Sequence, residues 1–292
     1  MLNTLVNIGK IKVLAITLGP QGVGLLSQLN NFFQVLSIAT SLGLNVGVTR
    51  NIAEYSAASR KKSILDLIST VTLVLSGVLA VSVVIGIIFS SHIAHLILDN
   101  RRYYYFIIIT LTGLPFIVFY NFIRSIFTGL LEIKTYVLVG VLSAVLGLIA
   151  LVPFVLLYKL QGAVWHLLFY SAGSFGLAVY FFGKLRNKHF AEYGRMLHID
   201  RPIIKGLLKI GATSLIAGTF TSLSLLLLRS LIIGSLGLKS AGVFAAVLAM
   251  SGQSIIVITD SIGTYALPNL SSLTSNKDFQ DELNQILRLA VV

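Results

Sequence analysis

The sequence predicts an all-α protein that crosses a membrane several times. Its 292 residues are 56% hydrophobic and 11% charged, whereas soluble domains are about 45–50% apolar and about 25% charged. The mean hydropathy is +0.91. Long apolar runs recur without the alternation of barrel strands, and a lipid-embedded backbone otherwise satisfies its polar groups only in helices. The composition excludes a soluble domain and a disordered chain.

Eight apolar segments are predicted to be transmembrane helices, and a partial ninth begins near Leu283. A helix needs about 20 apolar residues to cross the hydrocarbon core of a bilayer, and most of these segments reach that length. The predicted helices are residues 2–18, 24–50, 64–90, 106–130, 136–158, 163–183, 206–234 and 242–270.

A basic linker divides the predicted helices into two groups. Residues 184–205 are the most polar connection, and Pro202 disfavours a helix that continues through them. The sequence therefore predicts a first lobe of six helices at 1–183, a cytoplasmic linker at 184–205 and an incomplete second lobe at 206–292.

An internal repeat supports this division. The stretch Leu18–Leu25 aligns with Leu236–Val243, and in both a glycine follows one apolar helix and precedes another. Parallel repeats of this kind occur in transporters, although two ordinary short turns would give a similar match. The helix before Gly19 is shorter than the helix before Gly237 by roughly a dozen residues, or about 18 Å. From this difference we expect a fragment of a longer protein.

Positive charge is concentrated in one set of predicted loops. The chain has 22 Lys and Arg against 10 Asp and Glu, a formal net charge of +12. Basic loops remain in the cytoplasm, which predicts a cytoplasmic N-terminus and outward-facing turns near Gly19, Asn100, Gln161 and Gly237. In a membrane protein such an excess orients loops, contacts anionic lipid or attracts an anionic substrate, so nucleic acid is not an expected partner. The richer loops hold Arg60, Lys61, Lys62, Lys134, Lys184, Arg186, Lys188, Arg195, Arg201, Lys205 and Lys277.

A stripe of polar side chains runs along the second predicted helix. At about 100° per residue these side chains fall within a sector of about 120°. A stripe of this length does not face lipid. It predicts the wall of a water-filled cavity or, alternatively, hydrogen bonding to neighbouring helices. The cavity-lining candidates are Asn30, Asn31, Gln34, Ser37, Ser41 and Asn45.

Four of the ionisable residues inside predicted spans are the main candidates for a functional role. Each costs at least about 2.5–3.5 kcal/mol at the centre of a helix, so such residues face the bundle interior and mark pathways. We predict that Lys10, Arg124 and Arg229 line a cationic cavity that binds an anionic substrate, and that Asp260 is a candidate for ion coupling. Two alternatives remain, in which Arg229 pairs with Asp260 or Arg124 extends to the cytoplasmic interface.

The sequence gives little support for an enzyme. It has no cysteine, and we find no paired carboxylates, metal-ligand cluster, phosphate-binding loop or nucleophile motif. We therefore expect no catalytic residue, no metal site and no cofactor. His166, near the outer end of the sixth predicted helix, is interpreted either as a buried or interfacial side chain or as a proton relay.

Several stretches of small and apolar residues carry a family resemblance. They are Leu18–Gln28, Leu42–Tyr55, Thr128–Tyr136, Leu228–Ser230, Ala241–Phe244 and Tyr265–Ser271. Together they resemble the Wzx-type O-antigen and polysaccharide flippases, and the last three stretches are similar to the enterobacterial O-antigen and common-antigen branch. The resemblance extends over essentially the whole chain.

This resemblance implies a fold, a function and a set of partners. The fold is that of the multidrug/oligosaccharidyl-lipid/polysaccharide exporters, with twelve helices in two lobes around a central cavity. The implied function is the flipping of undecaprenyl-diphosphate-linked oligosaccharide across the bacterial inner membrane by alternating access, in O-antigen and lipopolysaccharide biosynthesis. The implied partners are that lipid-linked substrate, membrane lipid and other polysaccharide assembly proteins. The alternatives are an ion-coupled multidrug exporter of the same fold and a membrane-embedded glycan polymerase or acyltransferase.

Overall fold

The protein is helical throughout the part that the structure describes. The computed structural model describes the backbone of residues 2–189 and 201–272. A 3₁₀ turn, Arg101–Tyr103, joins two of the helices. The α-helices are α1 Leu2–Thr40, α2 Leu44–Ala57, α3 Lys61–Ile88, α4 Ser90–Leu98, α5 Tyr104–Gly129, α6 Ile133–His189 and α7 Arg201–Ser272.

Three of these helices are each divided by one residue with non-helical backbone angles. The breaks lie at Gly19 in α1 (φ 63°), Lys159 in α6 (φ 49°) and Gly237 in α7 (φ 80°). The two arms of each broken helix, together with α3 and α5, match the positions of the eight predicted segments, and α2 extends the second arm of α1. The predicted ninth helix near Leu283 lies outside the described residues.

Helix α6 reverses direction at Lys159. A Cβ atom at Gly162 would overlap the carbonyl oxygen of Phe154, and His166 lies 2.8 Å from the carbonyl oxygen of Gly147. In a straight helix the latter two residues would be about 28 Å apart. The two arms of α6 therefore form an antiparallel hairpin, and each arm is long enough to cross a membrane.

The breaks at Gly19, Lys159 and Gly237 lie at one end of the bundle, which we call the Gly19 end. Their neighbours Thr17, Leu160 and Leu238 line a single cleft of roughly 240 Å³, together with Tyr103 and Lys159. The helices thus turn together at this end, as expected for connections on one side of a membrane.

The described helices have the length and surface of membrane spans. Four are long and apolar enough to cross a bilayer, and α1 with α2 forms a fifth candidate bent by 49°. Large apolar side chains cover the outside; Ile149, Leu157 and Leu231 are 68%, 73% and 72% exposed. These features identify a multi-pass membrane protein and confirm the predicted all-α polytopic class.

The structure differs from the sequence prediction in three places. Residues 24–50 are not one helix, because Leu42 (φ 52°) and Gly43 (φ 65°) separate α1 from α2. Residues 90–98, expected to be loop, form the short helix α4, which buries Ala94, Ile97 and Leu98 on one face. In addition, α6 extends to His189 and α7 begins at Arg201, so both ends of the predicted linker are helical.

The longest tertiary contact joins α7 to α1 and α2, and glycines make it close. We call this contact, between residues 24–47 and 207–242, the seam. A Cβ atom at Gly24 would overlap the carbonyl oxygen of Leu238, and one at Gly47 would lie 2.9 Å from the side chain of Leu207. From the Ser27–Arg229 contact to the Gly47–Leu207 contact, residue numbers rise along α1 and α2 as they fall along the first arm of α7. These segments therefore run antiparallel over about 30 Å.

Candidate functional site

Lys10 lies inside the bundle against an aromatic ring. Its ammonium nitrogen, Nζ, is 4.9 Å from the centroid of the Tyr170 ring on the second arm of α6. The absence of a side chain at Gly147 makes room for this contact, because a Cβ atom there would lie 2.9 Å from Lys10 Nζ and 2.7 Å from the Tyr170 ring. Helices α1 and α6 thus hold this cation jointly.

Arg124 on α5 is held in the same way by two tyrosines. Its guanidinium carbon is 4.0 Å from the centroid of the Tyr136 ring and 5.5 Å from that of Tyr120. A Cβ atom at Gly140 would be 3.6 Å from one guanidinium nitrogen. A guanidinium over aromatic faces is stabilised by the ring quadrupole, which fixes its position without neutralising its charge.

The two cations belong to one group of side chains, which we call the cation-aromatic cluster. Lys10 lies beside Gly147 and Arg124 lies beside Gly140, on the same arm of α6, and each cation lies over the ring of at least one tyrosine. His166 Nε2 donates to the carbonyl oxygen of Gly147, and its ring stacks on that of Tyr170 at 6.0 Å. The members of the cluster are Lys10, Tyr120, Arg124, Tyr136, His166 and Tyr170.

The first arm of α6 sets the spacing of the two cations. Gly140 and Gly147 are two helical turns apart on one face, so Lys10 and Arg124 meet that face at points about 10 Å apart. Ser143 lies on the same face between them. Its hydroxyl group is fully buried and has no hydrogen-bond partner among the described residues.

The two cations of the cluster are positioned by aromatic rings. Within residues 2–189 and 201–272, His95 and Asp99, which lie in and after α4, form an ion pair. The same ranges contain no group of three or more His, Cys, Asp or Glu that could hold a metal ion. The cluster can therefore attract an anion, and its hydroxyl and ring N–H groups are suited to hydrogen-bond one.

Arg229 lies away from this group, in the seam. Its terminal Nη1 donates to the carbonyl oxygen of Ser27 at 3.0 Å, while its Nε is buried without a partner in the described structure. The structure thus brings Lys10 and Arg124 into one cluster and holds Arg229 between α1 and α7. The side chain of Asp260 lies outside the described residues, as does any contact of it with Arg229.

The predicted polar stripe divides into exposed and buried parts. Asn30 and Gln34 are exposed, Ser37 and Asn45 are half-buried, and Asn31 and Ser41 are 8% and 6% exposed. Ser41 donates to the carbonyl oxygen of Ile38 at 2.8 Å. The bend at residues 41–43 places Asn45 on α2, so the stripe does not continue on one straight helix.

Sequence reasoning missed the tyrosines of the cluster and Gln28. The tyrosines are embedded in apolar helices, where they read as interfacial or core residues. His166 and Tyr170 are one helical turn apart, and the preceding predicted helix carries glycines. This pattern could have indicated that the two rings pack against that helix. Gln28 is fully buried in the seam. Apart from its position in a helix with many polar residues, nothing in the sequence distinguishes it.

A family model and a curated relative match nearly the whole chain. The model described as "Polysaccharide biosynthesis protein" matches residues 1–273. The lipid III flippase of Escherichia coli (strain K12) is 22% identical over 307 residues, a match that covers 99% of this chain and 70% of the flippase.

Two solved structures with a similar fold are described as transporters. The inward-facing conformation of a multidrug resistance MATE family transporter of the MOP superfamily has a TM-score of 0.67 and 18% identity, and the match covers 98% of this chain and 67% of that one. The outward-facing conformation of such a transporter has a TM-score of 0.56 and 18% identity, with coverage of 96% and 70%. At this identity the likeness concerns the fold.

Proposed function

This chain belongs to the polysaccharide biosynthesis protein family of the MOP superfamily, and from that membership we propose that it is a flippase for an undecaprenyl-diphosphate-linked oligosaccharide. The family and the curated relative support a flippase of lipid-linked sugars or a transporter of the same superfamily. Our proposal narrows this to an O-antigen or similar repeat unit that crosses the bacterial inner membrane by alternating access. The protein acts in transport, and its relatives are flippases and transporters.

The cation-aromatic cluster carries this proposal. A diphosphate must leave water to cross the membrane, and its desolvation is offset when fixed cations contact it. Lys10 and Arg124 rest on tyrosine rings, which stabilise their charge without neutralising it, so the charge is available to an incoming anion. Their spacing of about 10 Å along α6 lets the two cations flank the two phosphates of a diphosphate.

The remaining predicted site residues take supporting roles in this proposal. Exposed amides such as Asn30 and Gln34, with Asn31, Ser37, Ser41 and Asn45, would hydrogen-bond the sugars. Arg229 would meet the anion when the seam opens, and Asp260 would carry a coupling ion. The lipid tail would remain in the bilayer and pass between the proposed lobes at 1–183 and 206–292, joined by the linker at 184–205.

The proposed location is the bacterial inner membrane, with a cytoplasmic N-terminus and the Gly19 end facing outward. Three exposed basic residues, Arg60, Lys61 and Lys62, lie at the start of α3, where they would contact the anionic inner leaflet. Other polysaccharide assembly proteins are the proposed partners, since they would deliver and consume the lipid-linked unit.

The rival function with structural support is a multidrug exporter, since the similar solved transporters are described as multidrug resistance proteins. An exporter of cationic drugs needs acidic groups in its cavity. The described cluster has cations and tyrosines instead, which favours an anionic substrate.

Ligand-induced stabilisation of the purified chain in detergent tests the proposal. A ligand that binds the folded state raises the midpoint of thermal unfolding, so inorganic diphosphate is expected to raise it and tetraphenylphosphonium, a lipophilic cation, is not. Lys10→Gln and Arg124→Gln should each weaken diphosphate binding about tenfold, because a hydrogen bond to a charged group contributes about 1.5–3 kcal/mol.

Lys12→Gln is the matched control, because Lys12 is exposed and only two residues from Lys10. It should bind diphosphate as the parent chain does. Stabilisation by the cation, or equal loss of diphosphate binding in Lys12→Gln, would count against the proposed site.

A further inference from the structure

Gln28 makes an unusual set of contacts in the seam. It is fully buried, and its amide NH2 group, which has two hydrogens, lies within hydrogen-bond distance of three acceptors on two other helices. These are the carbonyl oxygen of Ile97 on α4 at 3.1 Å, the carbonyl oxygen of Leu226 on α7 at 3.1 Å and the hydroxyl of Ser230 on α7 at 2.8 Å. One side chain of α1 thus holds together three helices that are far apart in sequence.

The contacts of Gln28 lie toward the Gly19 end of the seam and are reinforced there. One turn before it, Gly24 contacts the backbone of Leu238 and Gly242. Arg229 donates to the carbonyl oxygen of Ser27, the residue next to Gln28. Any separation of α7 from α1 at this end must break the Gln28 and Arg229 hydrogen bonds together.

Two polar atoms beside these bonds are buried and unpaired in the described structure. They are the acceptor Oε1 of Gln28 and the donor Nε of Arg229. A buried polar atom without a partner is costly, so the closed seam is held by hydrogen bonds but is not fully satisfied. Such an arrangement suits a contact that forms and breaks.

We propose that Gln28 is the latch that keeps the two proposed lobes closed at the Gly19 end. Release of its amide from Leu226 and Ser230 lets α7 move away from α1. The same movement detaches Arg229 from Ser27 and exposes its guanidinium to an anion that passes between the lobes. Gln28 is a positioning residue, and the link to substrate passage rests on the proposed flippase function.

Cysteine accessibility measures opening of the seam without any substrate. The chain has no cysteine of its own, so Leu226→Cys provides one reporter in the seam: the side chain of Leu226 is buried, and the substitution keeps the backbone carbonyl that accepts from Gln28. In nanodiscs this reporter should react slowly with a water-soluble maleimide. With Gln28→Met, which keeps the length and removes the donor, labelling should accelerate about tenfold, as expected when the hydrogen bonds of one side chain are lost.

Two controls separate latch release from general loosening. Ser235→Cys is exposed on the same helix and should label at the same rate with Gln28 or Met at position 28. Gln34→Met, at an exposed glutamine on the same arm of α1, should leave the labelling rate of Leu226→Cys unchanged. An unchanged rate with Gln28→Met, or equal acceleration with Gln34→Met, would refute the latch.

The latch and the flippase proposal are tested by different measurements, which are cysteine labelling for the latch and diphosphate binding for the flippase. Gln28→Met should remain monodisperse and keep the binding of inorganic diphosphate that depends on Lys10 and Arg124, because the contacts of Gln28 lie in the seam and not in the cation-aromatic cluster. If Gln28→Met does not yield monodisperse protein, Gln28→Asn takes its place with the same expectation, since the shorter amide cannot reach both helices. Failure of diphosphate binding with intact latch behaviour would reject the function and retain the latch.

Discussion

At the scale of single residues, the unusual property of this protein is how it keeps cations inside a membrane bundle. Lys10 and Arg124 are positioned by the faces of Tyr170 and Tyr136. A carboxylate partner would neutralise their charge, whereas an aromatic face stabilises the charge and does not neutralise it. Two glycines, Gly140 and Gly147, provide the space that each cation occupies.

Filling the space at Gly147 should disable the cluster and leave the rest of the bundle folded. Gly147→Leu is expected to push Lys10 and the Tyr170 ring aside and to weaken diphosphate binding about tenfold, the cost of one charge-assisted contact. The measurement is the diphosphate-induced rise in the midpoint of thermal unfolding. Gly176→Leu is the control, because a Cβ atom at Gly176 on the same helix meets nothing within 4 Å; equal binding by the two variants would contradict the expectation.

The sequence identified the cations but not what holds them. An ionisable residue within an apolar run is visible in the sequence because it is costly there, which is how Lys10, Arg124 and Arg229 were found. A tyrosine in such a run carries no comparable signal, and its meeting with Lys10 depends on the reversal at Lys159. The separation of Arg229 from the other two cations depends on tertiary packing, which hydropathy does not encode.

At the scale of helices, glycines decide where two backbones come into contact. Along the seam, Gly24 and Gly242 meet each other's backbones at one end, and Gly43 and Gly211 do so at the other. Small residues at helix interfaces are the usual means of close packing in membranes, where lipid tails provide no hydrophobic drive for association. The seam is therefore a close backbone contact, held by the polar bonds of Gln28 and Arg229.

A side chain at Gly242 should destabilise the seam. A Cβ atom there would overlap the carbonyl oxygen of Pro20, a backbone atom that cannot rotate away. Gly242→Leu is expected to cost roughly 1–3 kcal/mol or more, the range for overpacking, and to lower the midpoint of thermal unfolding in detergent. Gly234→Leu in the same helix meets open space and should not lower it, so similar losses in both variants would contradict the role of the seam.

The helices themselves were largely predictable, and their interruptions less so. The repeat located turns at Gly19 and Gly237, and these glycines have nearly the same backbone angles, φ 63° and ψ −178° against φ 80° and ψ 171°. The bend at Gly43 was not predicted, because apolar and polar residues recur at helical spacing on both sides of it. Helix α4 was missed because nine residues are too few to give a clear hydropathic period.

At the scale of the whole molecule, charge and hydropathy favour the proposed orientation. The described surface is apolar along the helices, and basic residues collect at the α2–α3 turn and in the last turns of α6. By the positive-inside tendency, the proposal has this end facing the cytoplasm and the Gly19 end facing outward. Orientation is a property of the summed loop charges, so single substitutions should not change it.

Single cysteines in intact cells test this orientation. Because the chain lacks cysteine, Gln161→Cys at the Gly19 end is expected to react with a membrane-impermeant maleimide added outside. Ser56→Cys, exposed at the opposite end, should react only after the membrane is permeabilised. The reverse pattern would overturn the proposed cytoplasmic N-terminus.

The reversal at Lys159 also has a consequence for how the chain assembles. His166 contacts Gly147, which is 19 residues away in the sequence, whereas Arg229 contacts Ser27, which is 202 residues away. Closing a short loop costs less entropy, and local contacts form faster, so the α6 hairpin can mature while the ribosome is still elongating. Helix α1, made first, must wait for α7 before its buried amide finds its acceptors, and during that wait the nascent protein is most exposed to misassembly and proteolysis.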